Sequence, residues 1–200
     1  SSLFWSGNFL TGKLASLSSL SPLKLSFLRW SMAFLLLMPF TYKKIIEDIE
    51  KYKKNIYYIL ITSILGVAIF NSFTYLSLQT SMVINSSIMT SVTPLLIIFF
   101  SWLIFKTPTY PMQFFGIILS IFGVLLIISK ANFINLIDLN FTIGDLWMLA
   151  AVFSWGLYSV LLKKIDSTLS QLATLEIMIF FGLIFIFPFY IIESFSNSYS

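Results

Sequence analysis

Long apolar stretches separated by short polar breaks run along the whole chain. The hydrocarbon core of a bilayer, about 30 Å thick, takes roughly 20 helical residues at ~1.5 Å each. Seven stretches fit: Leu3–Leu20, Leu23–Phe40, Ile56–Gln79, Met82–Phe105, Met112–Ser129, Leu146–Leu162 and Ala173–Ile192. Ile56 to Phe105 carries no charge and is too long for one crossing; the polar break Gln79-Thr80-Ser81 near its centre predicts a tight helical hairpin. Thr41–Lys54 is the most charged break. Ile45, Ile46, Ile49 and Tyr52 recur there at helical spacing, and Glu47–Lys51 and Glu50–Lys54 are i,i+4 pairs. A short helix at the membrane surface and a solvated connector both fit, and the charge pattern favours the connector.

The pattern repeats. Phe4 to Phe40 returns as Phe153 to Phe189 at a constant offset of 149: Gly7 matches Gly156, Ser19–Leu23 matches Thr168–Leu172, and Pro39-Phe40 matches Pro188-Phe189. The first predicted helix then matches the sixth and the second the seventh, so the module is five helices long. An odd number of crossings inverts the second copy, an arrangement that places a substrate site near the midplane between copies. Residues 1–130 are expected to form one whole module and 143–200 the opening two helices of another. By the same offset the second module would run to about residue 279, some 79 residues further. The fold class expected is an all-α membrane protein: a multi-pass helical bundle of inverted five-helix repeats, seven helices of ten.

Charge fixes an orientation. The breaks after the second, fourth and sixth segments hold Lys43, Lys44, Lys51, Lys53, Lys54, Lys106, Lys163 and Lys164, whereas the opposite side holds Lys24 and Lys130. The lysine-rich side is expected to be cytoplasmic. That puts the N-terminus in the cytoplasm; the membrane expected is a plasma membrane, a bacterial inner membrane. No basic stretch precedes the first segment, so no cleavable signal peptide is expected. Composition agrees: of 200 residues, 58% are hydrophobic and 10% charged, against about 25% charged in soluble domains. With no histidine and no cysteine, disulfides, thiolate chemistry and histidine-centred metal sites are excluded. The lysines lie between apolar segments, which does not point to nucleic acid. No cofactor, no metal and no enzyme activity are expected.

Polar groups at membrane depth are the candidates for chemistry, because lipid cannot satisfy them. Lys13 lies near the middle of the first helix, Arg29 in the outer third of the second, and Glu176 in the cytoplasmic third of the seventh. Snorkelling to a headgroup competes with function for the long stems of Lys13 and Arg29. Glu176 is shorter and favours a buried partner, with Lys13 a candidate across the repeat interface. Asn71 and Tyr75 share one face of the third helix. The fourth helix carries Asn85, Ser86, Ser87, Thr90, Ser91 and Thr93 ahead of Pro94. Close packing explains the small residues; Pro94 adds a freed carbonyl near Thr90, which selects Asn85, Thr90 and Thr93 as cavity-lining. Trp5 and Asn8 open the first helix, and Trp155 and Tyr158 occupy the related part of the sixth. Interfacial anchoring explains mid-helix Trp155 poorly, and an aromatic pair suits amphipathic solutes. Gly116, Ser120 and Gly123 read as packing alone.

The runs FWSGNFLTGK (Phe4–Lys13) and SPLKLSFLRW (Ser21–Trp30), the hairpin Tyr75–Leu96, Gly116–Ile128 and Gly144–Lys164 together resemble EamA-type transporters of the drug/metabolite transporter superfamily. The resemblance covers almost the whole chain. It implies ten helices in two inverted repeats and the export or exchange of small metabolites. An acidic residue often follows that family's fourth helix, where this chain has Phe105-Lys106-Thr107-Pro108. The first helix also lacks the glutamate by which small multidrug exporters exchange protons, so Glu176 is the intramembrane carboxylate left for proton coupling. The expected function is a carrier in the lipid bilayer that moves small metabolites, amino acids or related compounds, by alternating access. A carrier of phosphorylated sugars or nucleotide-sugars would want more basic residues at depth than Lys13 and Arg29. A membrane interaction protein without transport is the reading from another class.

Overall fold

Lipid offers the backbone no hydrogen-bond partner, so apolar stretches of this length satisfy their own amides as helices. The computed structural model describes residues 2–17, 21–108, 110–128 and 142–198. The helices are α1 (Ser2–Leu17), α2 (Pro22–Glu47), α3 (Ile49–Lys54), α4 (Ile56–Thr62), α5 (Phe70–Thr80), α6 (Val83–Thr90), α7 (Thr93–Phe105), α8 (Pro111–Ile128), α9 (Ile143–Leu161) and α10 (Gln171–Ser198), and no strand occurs among the described residues. A π-helical segment, Ser63–Ile69, joins α4 to α5 in one span, Ile56–Thr80. Five helices among the described residues are long and apolar enough to cross a bilayer: Pro22–Glu47, Ile56–Thr80, Val83–Phe105, Ile143–Lys164 and Gln171–Phe195. The other two predicted segments are α1 and α8, which run up to residues outside the description. The chain is an all-α, multi-pass membrane protein.

The predicted hairpin falls where the polar break placed it, with Ser81 and Met82 between α5 and α6. Ser81 Oγ donates to Asp145, whose other oxygen accepts from the Thr142 backbone N–H at 2.8 Å and caps α9. At the opposite, lysine-bearing end, Asn55 accepts from the Asp166 N–H at 3.4 Å and Lys164 sits 4.7 Å over the Phe105 ring.

The break Thr41–Lys54 is helical and not an open connector. Helix α2 continues past Pro39 to Glu47, and α3 follows after a bend at Asp48 with Tyr52 buried. Its ion pairs are Lys44–Glu47, Asp48–Lys51 and Glu50–Lys53 at i,i+3, in place of the expected i,i+4 pairs, because the bend separates Glu47 from Lys51. The Asp48 carboxylate raises the Lys51 ammonium above its usual value. Exposed pairs of this kind stabilise little.

Helix α2 lies along α10, α5 and α7 pack on α9, and α1 packs on α5. Phe27 meets Phe187 at 5.8 Å and stacks on Tyr190 at 5.0 Å, while Phe34 meets Phe180 at 6.0 Å. Numbers rise along one helix as they fall along the other, so α2 and α10 are antiparallel. These are the helices that the 149-residue offset equates. Each also carries its repeated proline inside the helix, Pro39 and Pro188. Gly116 and Gly123 on α8 differ from expectation: a Cβ at either would meet nothing within 4 Å, so they are not close-packing points among the described residues.

Candidate functional site

The π segment organises the centre of the bundle. Widening the turn takes carbonyls out of register, and inside a membrane other groups must satisfy them. Asn71 Nδ2 donates to the Gly66 carbonyl at 3.2 Å, and Ser154 Oγ of α9 donates to the Leu65 carbonyl at 2.8 Å. Two glycines allow close approach here. A Cβ on Gly66 would lie 2.6 Å from the Tyr158 ring, and one on Gly182 would lie 2.6 Å from Val67 Cβ. Helices α9 and α10 are thereby seated against the π segment from two sides.

One turn further along, side chains of α1, α2 and α5 converge. Arg29 Nη1 donates to Asn8 Oδ1, to the Tyr75 hydroxyl and, at 3.3 Å, to Asn71 Oδ1. Tyr75 donates to Asn8 at 2.8 Å. On the same face of α5, the Leu78 carbonyl accepts from Lys13 Nζ at 2.9 Å. Asn8, Lys13, Asn71 and Tyr75 therefore come together as one polar patch. Arg29 sits at its hub, although chain position alone left snorkelling open for it. Asn71 and Tyr75 are buried, so their amide and hydroxyl require these partners.

Beside the patch, Trp155 packs 4.5 Å from Phe70 and 4.9 Å from Tyr158, forming an aromatic row from α5 to α9. Trp155 thus belongs to the bundle interior and not to an interfacial belt. Tyr158 also lines a cavity of about 630 Å³ at the lysine-bearing end, with Lys163, Asp166, Gln171, Thr174 and Met178. The Asp166 carboxyl there is held below its usual value by the Thr168 backbone N–H, 2.9 Å away, and by the Thr168 side chain.

Glu176 stands apart. It is 2% exposed, and neither carboxylate oxygen has a hydrogen-bond partner among the described residues. The expected pair with Lys13 does not form, since Lys13 bonds near the far end of α5. Glu176 instead walls an apolar cavity of about 260 Å³ between α2 and α10, opposite Phe34, Met38, Thr41 and Tyr42.

The fourth predicted helix bends at Ser91-Val92, ahead of Pro94. Ser91 and Val92 N–H groups fall back to Ile88 and Met89 carbonyls at i−3, and Pro94 starts a new helix where its missing N–H costs nothing. A cavity of about 280 Å³ beside this bend is lined by Ser91, Val92, Pro94 and Leu95 together with Gln113, Gly116 and Ile117. Thr90, Thr93 and Asn85 are half-buried on α6 and α7 and do not line it. Trp5 lies in α1, but its side chain is outside the described residues. Ser154 and the π segment were missed by sequence reasoning; no residue pattern in Ser63–Ile69 marks a π turn.

The chain is similar to several proteins named as transporters. An "Uncharacterized transporter" of Archaeoglobus fulgidus is 27% identical over 196 residues, which is 98% of this chain and 66% of that protein. The "Uncharacterized transporter YetK" of Bacillus subtilis is 28% identical over 152 residues, 74% of this chain and 45% of its own length. An "Uncharacterized transporter" of Methanothermobacter thermautotrophicus is 30% identical over 118 residues, 58% of this chain and 34% of that protein. The chain thus spans from a third to just under two thirds of these relatives. No solved structure matches. The profile of the EamA-like transporter family matches residues 1–129 and 142–200, nearly everything on which the helices and the polar patch are built. The chain belongs to the EamA-like transporter family.

Proposed function

We propose that this chain is the larger part of a carrier for small metabolites, amino acids or related compounds, working by alternating access between two inverted halves. The carrying observation is the antiparallel contact of α2 with α10, the two helices equated by the repeat. Related helices that cross in opposite directions form a seam about which two halves can rock. The polar patch of Asn8, Arg29, Asn71 and Tyr75 and the row Phe70–Trp155–Tyr158 supply polar and aromatic surfaces at the depth where a solute would pause. The lysine-bearing end is read as cytoplasmic, and the direction of transport as export.

Glu176 is read as the proton-coupling group. A charge buried without a partner costs several kcal/mol, so Glu176 exchanges its proton only when movement along the α2–α10 seam wets it. Flux into vesicles holding the full-length protein, with an amino-acid panel and a pH gradient, tests the reading. Solute uptake that responds to the gradient, and that loses this response in Glu176→Gln, is expected. No flux of any solute above empty vesicles sinks the carrier reading.

A further inference from the structure

We infer that Arg29 and the side chains that fix it form a carboxylate-binding subsite, so that the solute carries a carboxylate. The inference rests on the carrier reading above. Every hydrogen bond of the guanidinium runs through Nη1, to Asn8, Asn71 and Tyr75. All three acceptors are neutral, and two are themselves locked: Tyr75 donates to Asn8 at 2.8 Å and Asn71 to the Gly66 carbonyl at 3.2 Å. With the Trp30 ring 5.5 Å from Cζ as well, the arrangement holds the cation in place but supplies no anion among the described residues.

Nη2 and Nε make no hydrogen bond to the described residues. They form the edge with two parallel donors by which a guanidinium takes a carboxylate side-on. Arg29 is exposed, and no described residue covers that edge with a hydrogen bond. Depth makes the missing anion matter. Arg29 lies seven residues past Pro22, the first residue of α2, or roughly 10 Å along the helix, where an uncompensated cation is costly. Snorkelling does not call for acceptors from two other helices to hold the guanidinium.

No ion pair joins Arg29 to a carboxylate among the described residues, and Glu193, near the end of the Gln171–Phe195 span, is no exception. Asp145 is engaged by Ser81 and Thr142, and Glu176 lies on the α2–α10 seam beside Phe34 and Thr41. Charge selects the class of ligand. One guanidinium matches one carboxylate, whereas a phosphate monoester near −2 at neutral pH asks for a second cation. Lys13, the nearest candidate on the patch, is engaged at the Leu78 carbonyl.

Thermal-shift titration of the full-length protein in nanodiscs, using amino acids and their matched amides, tests the subsite. At least one acid is expected to raise Tm while its amide needs about 30-fold higher concentration, as loss of one charge-assisted pair implies. Arg29→Gln should erase that preference, and Arg29→Lys, which keeps the charge and loses the fork, should keep part of it. The inference is overturned by no acid raising Tm, by acid and amide acting within about threefold of each other, or by the preference surviving in Arg29→Gln. It is equally overturned if the shift follows the anionic-lipid content of the nanodisc and not the acid, which would make the ligand a lipid phosphate. Should Arg29→Gln fail to fold, the acid-to-amide ratio of the wild type decides alone. Vesicle flux separates the two readings: flux that ignores the carboxylate sinks the subsite alone.

Discussion

Replacing Gly182 by alanine tests the seating of α10 on the π segment. A Cβ there would strike Val67 at Cγ1 and, at 2.6 Å, at Cβ, with the Ser63 carbonyl 3.4 Å away. Val67 cannot rotate clear, because a β-branched residue in a helix has one strongly preferred χ1 and because its Cβ moves only with the backbone. Overpacking of this kind costs about 1–3 kcal/mol, and contact with a fixed atom argues for the upper end. Alanine gains about 1 kcal/mol over glycine in a helix, so the net loss is about 2 kcal/mol. That is a fall of roughly 4–8 °C in Tm for a chain of this size. The assay is thermal unfolding followed by tryptophan emission.

A double-mutant cycle sharpens the test. Val67→Ala keeps the Cβ that clashes, so it should rescue Gly182→Ala poorly, whereas Val67→Gly removes it and should recover most of the coupling. A Gly182→Ala protein as stable as wild type, or equal rescue by Val67→Ala and Val67→Gly, refutes the reasoning.

Glu176→Leu should raise Tm while removing any response to a pH gradient, because a buried carboxylate without a partner costs about 1–3 kcal/mol that leucine does not; a lower Tm would show an unseen partner. Asn71→Ala and Ser154→Ala each strip a donor from a carbonyl of the π segment and should cost about 1–3 kcal/mol apiece, read as loss of Tm. Because the two carbonyls are neighbours, the double variant should depart from additivity. Asp166 has a folded value below its ordinary one, so its contribution is in place above the ordinary aspartate range and is lost as pH falls through the lowered value. The Tm gap between wild type and Asp166→Asn should therefore be present at neutral pH and close in acid; a gap independent of pH would contradict the assignment.

Much of the scaffold was legible because length and polarity alone decide it. Five of the seven expected spans, the hairpin at Ser81 and the shared face of Asn71 and Tyr75 follow from helical geometry and the absence of water in lipid. The register of Thr41–Lys54 was misjudged because local charge argued for solvent, whereas buried Tyr52 draws that stretch into a bend against the bundle. The site was legible in its residue types and not in its hub. Asn8 and Tyr75 lie 21 and 46 residues from Arg29, and only the packing of α1 and α2 on α5 brings them together. The π segment was invisible because the groups that meet it, Asn71, Ser154, Tyr158 and Gly182, lie up to more than a hundred residues away in the chain.

The 149-residue offset has a consequence for counting sites. Carried across it, Asn8, Lys13 and Arg29 fall on Leu157, Leu162 and Met178, while Glu176 falls on Phe27 and Thr41 on Tyr190. The offset thus equates the stacked pair Phe27–Tyr190 with the facing pair Glu176–Thr41, one in aromatic rings and the other in polar groups. Neither the cation nor the carboxylate has a twin among these positions. Across the offset Arg29 and Glu176 each face an apolar residue, Met178 and Phe27, so the positions the offset equates share a place along their helices and not a chemistry.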